Sequence, residues 1–143
     1  MVRLTEEPIN PASAYAAICS AFSGSVLFHY AVVKKMAGTG GATVSIDYSV
    51  DGNALLEMEQ IAVELERCWN LEDVLLIRRT GRLAVGEIIS LVAASSPGSD
   101  DAFEACRAGI GMLKKMTTIR KTEIFDNCPV SEEGENVCLT GSV

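Results

Sequence analysis

The chain alternates between stretches that are apolar at helical spacing and short runs that are apolar on both parities. Asn10-Pro11 joins an N-cap residue to a proline at the first helical position, and Tyr15, Ile18, Cys19 and Phe22 recur at helical spacing up to Gly24. Ser25–Val33 is β-branched, aromatic or apolar almost throughout, which predicts a buried strand that Lys34 and Lys35 close. Gly38-Thr39-Gly40-Gly41 reads as a flexible loop and Ala42–Val50 as a second strand. Asp51-Gly52-Asn53 starts a long helix whose apolar stripe is Leu55, Met58, Ile61, Ala62, Leu65 and Trp69, with Asn70 as its stop. Its glutamates, Glu57, Glu59, Glu64 and Glu66, lie mostly off the stripe and read as a solvated face.

Val74–Arg79 is a strand, followed by a turn around Gly81 and a further strand over Glu87–Ala94. After a Ser95–Gly98 loop, Ser99 is the expected N-cap of a helix carrying Phe103, Cys106, Ile110 and Leu113 on one stripe. Met116–Phe125 reads as the last strand. The expected class is α+β with a mostly antiparallel sheet, and hairpins are expected at 25–34/42–50 and 74–80/87–94. Residues 1–126 read as one domain and 127–143 as a loose polar tail. A chain of 143 residues suits one domain with a real core.

Charge changes this picture. Twelve basic against 19 acidic side chains give a net charge of −7, which excludes a general nucleic-acid binder or docking on anionic lipid. The acids come in blocks, and two stretches have none. Pro8–Ile46 carries only Lys34 and Lys35, and Ala105–Thr122 carries Arg107, Lys114, Lys115, Arg120 and Lys121. Acid-free basic islands in an acidic protein suit a small anionic ligand, although chance clustering on a solvated face gives the same pattern.

Other chemistries are poorly supplied. The five cysteines, Cys19, Cys68, Cys106, Cys128 and Cys138, are odd in number and form no CxxC pair. No disulfide framework or zinc knuckle is expected from them, and a reducing cytoplasm is the simplest setting. Cys19, Cys68 and Cys106 fall among apolar helical positions and are expected to be buried. A single histidine, His29, cannot build a His-rich metal site and reads as packed. The glycine loop lacks the Lys-Ser/Thr of a P-loop. The uncharged run Pro8–Val33 is broken by polar residues and Gly24, so neither a membrane span nor a signal peptide is expected.

Lys114 ends a helix and Lys121 follows seven residues later in the next strand, so both can point into one pocket. Such lysines can serve as a base or a covalent amine, or can hold phosphate or carboxylate. A surface basic patch is the competing reading.

Four segments resemble one family in register: Arg3-Leu4-Thr5-Glu6-Glu7-Pro8-Ile9, Gly24–Phe28, Arg78-Arg79-Thr80-Gly81-Arg82-Leu83-Ala84-Val85-Gly86-Glu87, and Asp101–Arg107 running on to Lys114 and Lys121-Thr122-Glu123. They are similar to the large, catalytic subunit of molybdopterin synthase. The resemblance implies an α/β-hammerhead-like fold and a sulfurtransferase of molybdenum cofactor biosynthesis, with no metal and no cofactor of its own. It implies conversion of cyclic pyranopterin monophosphate to molybdopterin with sulfur from a thiocarboxylate. That group is carried on the Gly-Gly C-terminus of a separate small subunit, and a homodimer of large subunits is implied at the centre of a cytoplasmic heterotetramer.

Residue by residue, the resemblance gives Lys114 and Lys121 catalytic roles. Val32, Val33, Lys34, Gly98, Ser99, Lys121, Thr122 and Glu123 correspond to substrate-binding positions. The chain departs from the family pattern at several of them. Lys34 stands where an arginine is usual, Gly98 and Ser99 stand where the family carries a His-Arg pair, and Arg120 replaces a tryptophan. A hypothesis is that Arg120 restores part of the lost positive charge. An alternative reading is a divergent paralogue that binds a ubiquitin-like small-subunit partner without catalysis.

Overall fold

The apolar run Val74–Ile77 lies in an internal strand, Asp73–Arg79, because it has a partner for each of its faces. The computed structural model describes residues 1–18, 20–38, 41–127 and 139–142. Successive side chains of a strand point to opposite faces. Leu75 and Ile77 join one buried cluster with Ile9, Ala14, Ile18, Leu91 and Ala93. Val74 and Leu76 join another with Met58, Leu65, Val92, Cys106 and Leu113.

In chain order the strands are β1 (Val2–Thr5), β2 (Ser25–Val32), β3 (Ala37–Gly38), β4 (Gly41–Val50), β5 (Asp73–Arg79), β6 (Gly81–Ala84), β7 (Ile88–Ser96), β8 (Ile119–Asn127) and β9 (Leu139–Ser142). The helices are α1 (Pro11–Ile18), α2 (Ala54–Cys68) and α3 (Ser99–Lys114). One sheet runs β1-β5-β7-β2, with β1 parallel to β5 and the other pairs antiparallel. The other runs β3-β4-β8-β9 and is antiparallel, with β6 added on β4. Helix α1 covers one face of the first sheet, and α2 and α3 cover the other.

The 74–80/87–94 hairpin forms as β5 with β7. The 25–34/42–50 hairpin does not. Strand β2 pairs with β7 in the first sheet, and β4 pairs with β8 in the second. Short sequence separation favours a hairpin, but β2 is apolar on both parities and takes the edge of a sheet covered on both faces.

Smaller corrections follow from packing. Helix α1 ends at Ile18, and Phe22, expected on its stripe, is exposed. Tyr15, Leu55 and Phe103 are also exposed rather than core, whereas Met58, Leu65, Cys106 and Leu113 are buried as expected. Cys68 is exposed at the end of α2. The expected turn at Gly81 continues as β6, the last helix is N-capped by Gly98 rather than Ser99, and β8 starts at Ile119. Asn53 caps α2, its side chain accepting from the Leu56 N–H at 3.1 Å. Within the expected loose tail, Leu139–Ser142 pairs with β8. Cys19, Cys128 and Cys138 lie outside the described residues.

Gly109 lets α3 approach the first sheet closely. A Cβ there would stand 2.9 Å from Val92 Cγ1 and 3.1 Å from Leu65 Cδ1. This close seat helps fix the direction in which α3 carries Lys114.

Candidate functional site

Where the two sheets meet the end of α3, their side chains leave a cleft of about 620 Å³. Strand β2 supplies His29, Tyr30 and Val32, and the segment after it supplies Lys34 and Met36. The end of α3 supplies Ile110, Leu113 and Lys114. Alternation along β8 places Ile119, Lys121 and Glu123 on the cleft side. Tyr48 and Ile46 of β4 lie opposite Lys121 and Glu123 in the antiparallel register and line the same cleft. Thr43 Oγ1 donates to Glu123 Oε1 at 2.7 Å, so that carboxylate has a partner within the protein.

The connection between Lys114 and Lys121 is held from α2. The Glu57 carboxylate accepts the Thr117 N–H at 2.8 Å and the Thr118 N–H at 3.2 Å, and also both threonine hydroxyls. Burial raises the Glu57 pKa, but these hydrogen bonds to the ionised form outweigh it and leave the pKa lowered. The solvated face expected for the α2 acids is therefore interrupted at Glu57, which staples the loop that spaces the two lysines.

Arg78, at the end of β5, also lines the cleft. It is buried, and its guanidinium carbon sits 4.8 Å from the centre of the Tyr48 ring. Burial lowers the Arg78 pKa, with Tyr48 opposing that shift. Burial raises the Tyr48 pKa, Arg78 pulls it down and Glu123 pushes it up, leaving it raised.

A family model described as MoaE protein matches residues 4–116. The chain belongs to the MoaE family. A molybdopterin synthase catalytic subunit from Drosophila erecta is 31% identical over 137 residues, covering 94% of this chain but 37% of that protein. The crystal structure of molybdopterin synthase from Staphylococcus aureus superposes with a TM-score of 0.80 at 26% identity, covering 87% of this chain and 90% of that one. A protein–protein complex of subunits 1 and 2 of molybdopterin-converting factor from Helicobacter pylori shares the fold, with a TM-score of 0.69 at 12% identity and coverage of 96% and 88%. The α+β fold expected from the sequence is that of the MoaE family.

This MoaE-family chain brings Lys34, Lys114, Lys121, Glu123 and Val32 to one cleft. It does not bring the other sequence-picked positions there. A β-bulge between Ala31 and Val32 shifts the register, leaving Val32 exposed while Val33 packs with Ile46, Tyr48 and Leu83. Thr122 has the opposite parity to Lys121 on β8 and pairs with Asp47. Gly98 and Ser99 stand at the far end of the 16-residue α3, about 24 Å from Lys114 by helical rise. Arg120 turns away and binds Asp51, Nε to Oδ2 at 2.7 Å, so it does not replace charge in the cleft.

His29, Tyr48 and Arg78 are among the cleft residues not picked out from the sequence. His29 lines the cleft instead of packing in the core. For Arg78 a signal existed: it follows the apolar run Val74-Leu75-Leu76-Ile77 and has the parity of Val74 and Leu76, which points it to the same side of the strand.

Proposed function

We propose that the chain is the catalytic subunit of a molybdopterin synthase. In this reading it converts cyclic pyranopterin monophosphate to molybdopterin with sulfur from the thiocarboxylated C-terminus of a small subunit. The observation that carries the reading is the convergence of Lys34, Lys114 and Lys121 from three separate elements on one cleft. Ammonium groups gathered at one cleft can stabilise charge that develops during acyl and sulfur transfer. Lys114 faces the inserted tail and the reacting centre, where it offsets the negative charge of the thiocarboxylate. Lys121 contacts the substrate and Lys34 holds its anionic groups, with Val32 and Glu123 beside them and Val33 and Thr122 shaping the strands from behind.

The Gly-Gly tail of the small subunit enters this cleft, and two large subunits form the centre of a heterotetramer. The separation of Gly98 and Ser99 from Lys114 supports that arrangement, because only a second copy can bring the start of α3 to this cleft. Among the described residues no helix is long and apolar enough to cross a membrane. The free thiols of Cys68 and Cys106 suit a reducing cytoplasm.

The test is reconstitution of the full chain with a thiocarboxylated small subunit and cyclic pyranopterin monophosphate. A dithiolene product is expected. Absence of product with a small subunit that works on another synthase would overturn the reading. Tight tail binding without turnover would establish the non-catalytic alternative, which Gly98 and Ser99 motivate.

A further inference from the structure

Arg78 is an unusual residue to bury. It is 9% exposed, and among the described residues its Nε has no hydrogen-bond partner and no carboxylate pairs with its guanidinium. Its described contact is the face of Tyr48, itself 5% exposed. A ring face offsets part of the desolvation of a guanidinium but satisfies none of its N–H donors. A buried cation is tolerated at a cost that falls when a counter-charge arrives.

The cleft that Arg78 lines has no spare counter-charge. Lys34, Lys114 and Lys121 are its other cations, and its one carboxylate, Glu123, already accepts from Thr43. Four cations, three of them exposed lysines and the fourth the buried Arg78, against one engaged acid favour a multiply charged anion. A carboxylate fits a guanidinium fork as well as a phosphate does, but a single negative charge leaves most of this excess unanswered. A phosphate dianion answers more of it.

We propose that Arg78 is the buried anion anchor of the cleft, binding the phosphate group of the ligand through its guanidinium while its face stays on Tyr48. This makes Arg78 a specificity-determining residue that favours a phosphorylated ligand over an unphosphorylated one. The assignment of the pyranopterin as that ligand rests on the function proposed above, whereas phosphate binding at Arg78 does not.

The experiment uses the full chain and inorganic phosphate as the probe. In nitrogen-15-labelled protein the Arg78 Nε–H resonance is expected to shift on titration with phosphate. Arg78→Lys, which keeps the charge and loses the fork, is expected to weaken phosphate binding about tenfold, and Arg78→Gln about a hundredfold. In the reconstituted reaction Arg78→Lys is expected to raise the KM for the pyranopterin monophosphate and leave the KM for the small subunit unchanged. An Arg78 resonance that does not move at saturating phosphate would overturn the proposal, and this needs no variant to fold. So would wild-type phosphate affinity in Arg78→Gln, or a KM change confined to the small subunit, which would assign Arg78 to the tail carboxylate. Arg78-dependent phosphate binding in a chain that forms no dithiolene would uphold Arg78 and refute the proposed function.

Discussion

Arg78 and Arg79 are adjacent on one strand and both buried, at 9% and 6% exposure, yet only one of them is paired. Arg79 donates to the Glu6 carbonyl at 3.1 Å and to Glu87 at 3.4 Å. Glu87 in turn accepts the Ala84 N–H, so Arg79 ties β5 to the start of the chain and to the turn before β7. Arg78 points to the cleft and meets a ring face. The same residue type, with the same burial, serves architecture on one side of the strand and ligand chemistry on the other. What separates them is whether the protein itself supplies the counter-charge.

The largest effect is expected on the cleft side. Lys114→Ala is expected to lower kcat/KM in the reconstituted reaction about a hundredfold, the loss of one charge-assisted contact of about 3 kcal/mol, with the melting temperature unchanged. On the other side, Arg79→Met is expected to destabilise the fold by about 2 kcal/mol, because it leaves Glu87 and the Glu6 carbonyl without this donor. Thermal melts check this, and activity per folded molecule is expected to hold.

Glu57→Gln probes the staple between the two sides, with an expected loss of about 1 kcal/mol at neutral pH. The Glu57 pKa is lowered in the fold, so its contribution is complete above the ordinary carboxyl range and is lost as pH falls through the lowered value. Melting curves of wild type and variant are therefore expected to converge in acid. The smallest effect belongs to Arg120→Ala. Its exposed bridge to Asp51 is worth less than about 1 kcal/mol, and turnover is expected to be unchanged.

The sequence announced the cleft's cations better than its walls. Lys34, Lys114 and Lys121 all come from the two acid-free stretches, where charge segregation is a local signal. The core positions Met58, Leu65 and Leu113 were legible because a helix with one buried face has to repeat them at helical spacing. The partner of Ser25–Val32 was not legible. A strand apolar on both faces fits any interior slot, and its neighbour β7 lies far along the chain. The bulge that turns Val32 outward and Val33 inward was equally hidden, because a register shift depends on the partner strand. Arg78 lies in a segment that resembles the family but is not legible there as a site residue, since its meaning lies in the pairing it lacks.

Whether the lysine-lined cleft carries out sulfur transfer is read from single-turnover dithiolene formation by wild type and Lys114→Ala with the same thiocarboxylated small subunit. Product is expected from the wild type, with at least about a hundredfold slower formation from a variant that melts at the same temperature. Equal rates from the two proteins would contradict it.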